Sequence, residues 1–78
     1  SISQAIREIQ ERVAQGETCA NVFNAAVRQR IQASGGRIDY VRIVDSNSLQ
    51  DLSTVGTGAY LMIAAFFGET RLIDNGPL

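Results

Sequence analysis

Histidine, lysine and tryptophan are absent from this 78-residue sequence, and all seven of its cationic side chains are arginines. Histidine is the usual general base near neutral pH and a common metal ligand, while lysine forms Schiff bases and binds phosphate in nucleotide loops. The chain therefore lacks most of the side chains on which catalysis or zinc binding depends. We predict no catalytic, cofactor-binding or metal-binding residue within it.

Cysteine is also scarce, because Cys19 is the single one in the sequence and cannot form an internal disulfide. It lies on the apolar stripe of a predicted helix. We therefore expect Cys19 to be a small buried side chain.

The sequence has no apolar run of the roughly 18 residues that a membrane-spanning helix requires. Its formal net charge is −1, and its basic and acidic residues are interspersed, so no positive stripe is available to a nucleic acid. Hydrophobic residues make up 45% of the chain and charged residues 19%, which is typical of a globular domain. We expect one domain, residues 1–78, that is cytoplasmic and binds neither nucleic acid nor a membrane.

Two amphipathic helices are predicted in the first half of the chain. The first carries Ile2, Ile6, Ile9 and Val13 at helical spacing and ends near Gly16. On its polar side, two i,i+4 ion pairs are predicted, namely Arg7–Glu11 and Glu8–Arg12.

The second helix is predicted to begin near Thr18, whose side chain can cap it, and to stop at Gly35-Gly36. Its predicted apolar stripe consists of Cys19, Val22, Phe23, Ala26, Val27 and Ile31. The short connection between the two helices favours an antiparallel pair.

Three strands are predicted in the second half. The segment Ile38–Val44 is rich in β-branched and aromatic residues. The segment Ala59–Phe67 is apolar on both faces, which is typical of a strand covered on both sides, although its length also permits a helix. Gly68-Glu69 fits a two-residue type II′ turn into a third strand, Thr70–Asn75.

The connection between the first two strands, residues 46–57, is polar and broken. We predict one helical turn in it, with Leu49, Leu52 and Val55 as anchors. The predicted fold class is α+β, in the order helix-helix-strand-strand-strand, with two antiparallel helices packed on a small three-stranded, mostly antiparallel sheet.

The candidates for chemistry each have an ordinary structural explanation. Gly56-Thr-Gly58 looks like a phosphate loop, but it leads into a predicted strand rather than a helix, which favours a flexible turn. Four carboxylates with no metal-loop spacing are expected in turns and caps, namely Asp39, Asp45, Asp51 and Asp74. Tyrosine and arginine side chains of the strands can contact a ligand, but a tyrosine ring more often packs and an arginine is more often solvated. The residues concerned are Tyr40, Tyr60, Arg37, Arg42 and Arg71. Arg71 and Asp74 are expected to meet neighbouring elements rather than each other.

Two segments together resemble a known family. Arg37-Ile-Asp-Tyr-Val-Arg-Ile-Val-Asp45 and the later Gly68-Glu-Thr-Arg-Leu-Ile-Asp-Asn75 are similar to the carboxy-terminal end of the pantothenate synthetases, the pantoate–β-alanine ligases. The resemblance covers nearly the whole chain. It implies a small lid domain that closes over an active site built by a larger amino-terminal nucleotide-binding domain.

The resemblance also implies the reaction and the partners. The full enzyme would use ATP and magnesium to convert pantoate to a pantoyl adenylate, from which the amine of β-alanine displaces AMP. The family's histidine motif and nucleotide loops lie upstream, so none maps to a residue here, and the fragment alone is expected to be inactive and to bind no cofactor. The implied partner is the missing amino-terminal domain. Some members continue past the Leu-Ile-Asp-Asn75 ending into a cytidylate kinase, so a parent protein with or without a kinase fused downstream is left open.

The sequence begins without methionine and inside a helical pattern, so we expect a fragment of a longer protein. A free-standing protein-interaction module that docks a partner through its helix pair or an edge strand remains the alternative. A reading frame upstream that encodes a nucleotide-binding domain would favour the lid.

Overall fold

The computed structural model describes residues 2–78. Two helices precede three strands, and their bounds are α1 Ile2–Ala14, α2 Ala20–Ala33, β1 Arg37–Asp45, β2 Ala59–Phe67 and β3 Thr70–Pro77. The strands lie in the order β1-β2-β3, and both pairings are antiparallel. The predicted α+β fold and its order of elements are confirmed, and neither helix of the described residues has the length and apolarity to cross a membrane.

Both helices pack on one face of the sheet, which we call the inner face. Leu61, Ile63 and Ala65 of β2 lie on it and are fully buried, since alternate residues of a strand point to the same side. They form one apolar cluster with the buried side chains of both helices, which are Ile2, Ala5, Ile6, Ile9, Ala20, Phe23, Val27 and Ile31. The predicted first stripe is confirmed, with Val13 partly buried against the cluster.

The predicted hairpin between the last two strands is also confirmed. Phe67 pairs with Thr70, and Gly68 has φ 64°, the left-handed conformation that the first central position of a type II′ turn requires. The third strand extends two residues beyond its predicted end, to Pro77. Both helices are followed by a left-handed glycine, Gly16 at φ 97° and Gly35 at φ 87°.

The predicted beginning of α2 was wrong in two respects. Cys19 is the N-cap residue, no side chain caps the helix, and Cys19 is exposed rather than buried. The reason is a tertiary contact with the loop: the Ala20 N–H donates to the Ser53 carbonyl over 3.1 Å, and the Val55 N–H donates to the Thr18 carbonyl over 2.8 Å. These backbone bonds turn Ala20 toward the core in place of Cys19.

The rest of the predicted α2 stripe was only partly right. Phe23, Val27 and Ile31 are buried, whereas Val22 remains 48% exposed, because the buried stripe runs from Ala20 at intervals of three and four residues.

The predicted ion pairs within α1 are replaced by longer-range pairs. Glu8 pairs with Arg30 of α2, and Arg12 pairs with Glu17 beyond the end of α1. Among residues 2–78, no ion pair joins Arg7 to Glu11. The first pair joins the two helices, and the second fixes the connection between them.

The loop between β1 and β2 has no helix of the predicted kind. A single turn at residues 46–48 is closed by the Leu49 N–H donating to the Asp45 carbonyl over 2.8 Å. Beyond this turn the chain forms isolated bridges at Asp51 and Thr54. Val55 is buried as predicted and Leu52 packs partly on the core, but Leu49 is 58% exposed and does not anchor the loop to the core.

Candidate functional site

The face of the sheet opposite the helices has an apolar central strand, and we call it the outer face. Its centre is formed by the even-numbered residues of β2, which are Tyr60, Met62, Ala64 and Phe66. The strand register places further side chains beside them, namely Arg37, Tyr40, Arg42 and Val44 from β1 and Arg71, Ile73, Asn75 and Pro77 from β3. No helix or strand of residues 2–78 lies over this face.

Burial on the outer face is uneven. Val44 and Ala64 are fully buried although neither belongs to the apolar cluster under the helices, so their outer-face neighbours cover them. Tyr60, Met62 and Phe66 are half-buried, and Ile73 is 57% exposed. The exposed apolar area of this face therefore comes mainly from Tyr60, Met62, Phe66 and Ile73.

An open depression of about 200 Å³ lies at one end of the outer face. Its lining is largely apolar, with one hydroxyl, one phenol and one amide, and consists of Val44, Ser46, Leu49, Tyr60, Met62 and Asn75. Leu49 has φ 59°, a conformation that non-glycine residues adopt at an energetic cost and that is often found at functional positions. Arg42 holds this loop in place, because its guanidinium donates to Asp51 Oδ1 over 3.0 Å and to the Leu49 carbonyl over 3.2 Å.

The opposite end of the outer face carries two arginines. Arg71 Nε donates to Asp39 Oδ2 over 2.9 Å, across the intervening strand. The prediction that Arg71 meets a neighbouring element is confirmed. Asp39 is brought there by a bulge that shifts the register between Ile38 and Tyr40. The guanidinium of Arg37 lies 4.5 Å from the ring centroid of Phe66, a cation–π contact.

Asp45 lies at the junction of β1 and the loop. The backbone N–H groups of Ser48 and Asn47 donate to its Oδ1 over 3.0 and 2.9 Å. These hydrogen bonds favour the charged form and lower the pKa of Asp45. The turn role predicted for this carboxylate is confirmed.

A second open depression, of about 310 Å³, lies at the free edge of β1 beside the beginning of α2. At this edge Asn24 Nδ2 donates to the Val41 carbonyl over 2.8 Å, and Arg28 Nε donates to Asn24 Oδ1 over 2.6 Å. Asn24 thus satisfies a carbonyl that the edge strand would otherwise leave unpaired.

The other predicted candidates are dispersed. Gly56-Thr-Gly58 is a turn into β2, closed by the Ala59 N–H donating to the Gly56 carbonyl over 3.2 Å, as predicted. Residues 2–78 contain no group of three carboxylate or cysteine side chains arranged to hold a metal.

The outer face was not predicted from sequence as a set of residues, because the residues that share it depend on strand register. The available signal was the apolar character of β2 on both faces.

Comparison with known proteins agrees with this fold. Residues 1–77 match the family model described as pantoate-beta-alanine ligase. The pantothenate synthetase of Anaeromyxobacter dehalogenans is 44% identical over 78 residues, which are 100% of this chain and 27% of that protein. The pantoate–β-alanine ligase of Arabidopsis thaliana is 37% identical over 75 residues, 96% of this chain and 24% of that protein.

The crystal structure of the pantothenate synthetase of Thermus thermophilus superposes with a TM-score of 0.80 at 33% identity, over 95% of this chain and 27% of that one. The chain thus spans about a quarter of the length of the relatives that it matches. Because the family model matches almost every residue and the structural likeness extends through both helices and the sheet, the chain belongs to the pantoate–β-alanine ligase family.

Proposed function

We propose that residues 1–78 form a single carboxy-terminal lid domain of an ATP-dependent, AMP-forming pantoate–β-alanine ligase. The observation that carries this proposal is 44% identity over the full chain to a pantothenate synthetase of which the chain covers 27%. Three quarters of such a protein lies outside this sequence. The resemblance of the two strand motifs to the carboxy-terminal end of the family supports the same position.

The proposed reaction has two steps. The carboxylate of pantoate attacks the α-phosphorus of ATP and releases pyrophosphate, which yields a pantoyl adenylate. The amine of β-alanine then attacks the acyl carbon, loses a proton, and displaces AMP as the new amide bond forms. The substrates of the full enzyme are therefore pantoate, β-alanine and ATP with magnesium, and we propose that it works in the cytoplasm.

The residues of this chain do not fit a magnesium–ATP site of their own. The sequence contains neither lysine nor histidine, and residues 2–78 contain no cluster of three carboxylates that could hold a metal ion. Its one glycine-containing phosphate-loop candidate leads into β2 rather than into the beginning of a helix. We propose that the amino-terminal domain supplies the groups that bind ATP and stabilise the charge on the transferred adenylyl group.

The proposed contribution of this domain is closure. An acyl adenylate is prone to hydrolysis, and a lid that excludes water protects it. Closure also holds the amine near the acyl carbon, which raises its effective concentration. Neither role needs a catalytic side chain from the lid.

The test is a full-length enzyme truncated before the residues equivalent to Ser1, compared with the intact enzyme. We expect the truncated enzyme to form pantothenate more slowly and to release AMP in excess over pantothenate, because water intercepts the adenylate. AMP and pantothenate are measured in the same reaction by liquid chromatography. Normal turnover, with AMP and pantothenate released in equal amounts as the ligation itself requires, would refute the lid and favour an interaction module.

A further inference from the structure

We propose that the outer face of the sheet, rather than the helical layer, is the surface against which the rest of the full-length protein docks. This inference rests on the proposed function, because it assumes that the chain is one part of a longer ligase. It adds the face that meets the partner, the side chains that enter the contact and the kind of surface that they require.

The composition of β2 indicates that a second layer covers it. A sheet covered on one face normally carries polar side chains on the other. The nine residues of β2, Ala59–Phe67, include no charged or amide side chain. The helices cover its inner face, and no helix or strand of residues 2–78 covers its outer face. The strand has the sequence of one covered on both sides, yet neighbouring side chains of the sheet cover only Ala64 completely on the outer face and leave Tyr60, Met62 and Phe66 half-buried. We assign the remaining cover to a part of the protein outside these residues.

The helical layer has the opposite character. Its outward side chains include Glu8 and Arg30, which pair between the helices, and Arg12 and Glu17, which pair at the end of α1. Their charges are compensated within the chain. A solvated surface explains them, and they offer no apolar centre to a partner.

The outer face has the anatomy of an interface, with an apolar centre and a charged rim. Ile73 beside Ala64 and Leu49 in the depression at one end of the face are 57% and 58% exposed. Arg37 at the rim contacts the ring of Phe66, and no carboxylate of residues 2–78 forms an ion pair with it. We infer that the docking surface of the partner is apolar and carries an acidic side chain opposite Arg37.

The length of the relatives identifies the occupant. The chain covers 24–27% of the proteins that it matches, so a much larger part of the same polypeptide is available at high effective concentration. A second copy of this chain competes with that part only by bimolecular association. We therefore assign the outer face to the amino-terminal part of the same polypeptide.

Hydroxyl-radical footprinting of the full-length protein tests this assignment with an internal control. Leu49 in the depression at the end of the outer face, Ile73 on that face and Val22 on α2 are similarly exposed in this chain, at 58%, 57% and 48%. After correction for intrinsic reactivity, we expect Leu49 and Ile73 to be oxidised at least about fivefold more slowly than Val22, since side chains desolvated at the centre of an interface are screened from solvent. The rates are measured with and without ATP–magnesium, pantoate and β-alanine.

A matched pair of variants supplies the second measurement. Ile73→Lys places a charge in the proposed contact, and Val22→Lys places the same charge on the helical layer at similar exposure. We expect Ile73→Lys to restore oxidation of Leu49 to the rate of Val22, and Val22→Lys to leave the pattern unchanged. Circular dichroism is used to check that both variants fold.

The outcomes separate this inference from the proposed function. Protection of Leu49 and Ile73, whether constant or dependent on substrates, supports docking on the outer face, even in a protein that shows no ligase activity. Oxidation at the rate of Val22 in every state overturns it. Protection that disappears on dilution at constant composition also overturns it, because the occupant is then a second copy.

Discussion

Replacing Gly36 with alanine is expected to destabilise the fold through a clash between its layers. Gly36 lies between α2 and β1, and its N–H donates to the Ile31 carbonyl over 2.9 Å. A Cβ added there would lie 2.6 Å from Ile31 Cγ2 and 2.8 Å from Phe67 Cζ, both far inside van der Waals contact. Ile31 is 1% exposed and lies within the core cluster, where close packing leaves little room for it to move.

The magnitude follows from two opposing effects. Overpacking a well-packed site costs about 1–3 kcal/mol, while alanine lowers the conformational entropy of the unfolded chain and returns about 0.4–1 kcal/mol. The net expected loss relative to the parent is roughly 0–2.6 kcal/mol, and a loss of 1 kcal/mol lowers the melting temperature of a domain of this size by about 4–8 °C. Urea-induced unfolding followed by circular dichroism measures it.

Gly56→Ala is the matched control. No heavy atom lies within 4 Å of a Cβ built at Gly56, so this variant carries the entropic gain without the clash and is expected to be as stable as the parent or slightly more so. If Gly36→Ala unfolds at the same urea concentration as Gly56→Ala, the close approach of the α2 end to Phe67 does not constrain the fold, and the reasoning fails.

Three further predictions concern polar contacts. Asn24→Asp removes the donor to the Val41 carbonyl and should cost about 1–3 kcal/mol in urea unfolding; an unchanged midpoint would show that water replaces this donor. The lowered pKa of Asp45 implies that its carboxylate stabilises the fold above the unfolded pKa of about 3.9 and that this stabilisation is lost as pH falls through the folded pKa. The parent should therefore be more stable than Asp45→Asn at pH 7 and should lose that advantage in acid. A double-mutant cycle on Asp39 and Arg71, both partly exposed, should give a coupling of about 0.2–1 kcal/mol; a larger value that persists in high salt would contradict a solvent-screened pair.

The sequence was sufficient to predict the elements whose causes are local. The spacing of Ile2, Ile6 and Ile9 predicts α1, and the glycine of Gly68-Glu69 predicts the hairpin turn, because side-chain periodicity and backbone conformation act within a few residues. The start of α2 failed for the opposite reason. Ala20, not Cys19, is the buried residue at this start, because the Ala20 N–H donates to the Ser53 carbonyl. Ser53 lies more than thirty residues later in the sequence, so no local pattern contains this contact.

The candidate site shows the same division. That β2 is apolar on both faces is visible in its sequence, and it predicts two covering layers. Which side chains share the second face depends on the register with β1 and β3, and on the bulge that carries Asp39 toward Arg71. A one-residue shift of register would move every side chain of a strand to the other face, so the set of residues required the structure.

The two-sided apolarity of β2 has an energetic consequence for the chain by itself. A chain of 78 residues buries only about 60% of the surface that its unfolded form exposes, and here part of the apolar material lies on the outer face, where it contributes little to the core. If the outer face is a docking surface, the same side chains stabilise the longer protein. Apolar residues that contribute little to the isolated fold and promote its association would then stabilise the whole protein, which is a reason for β2 to contain them.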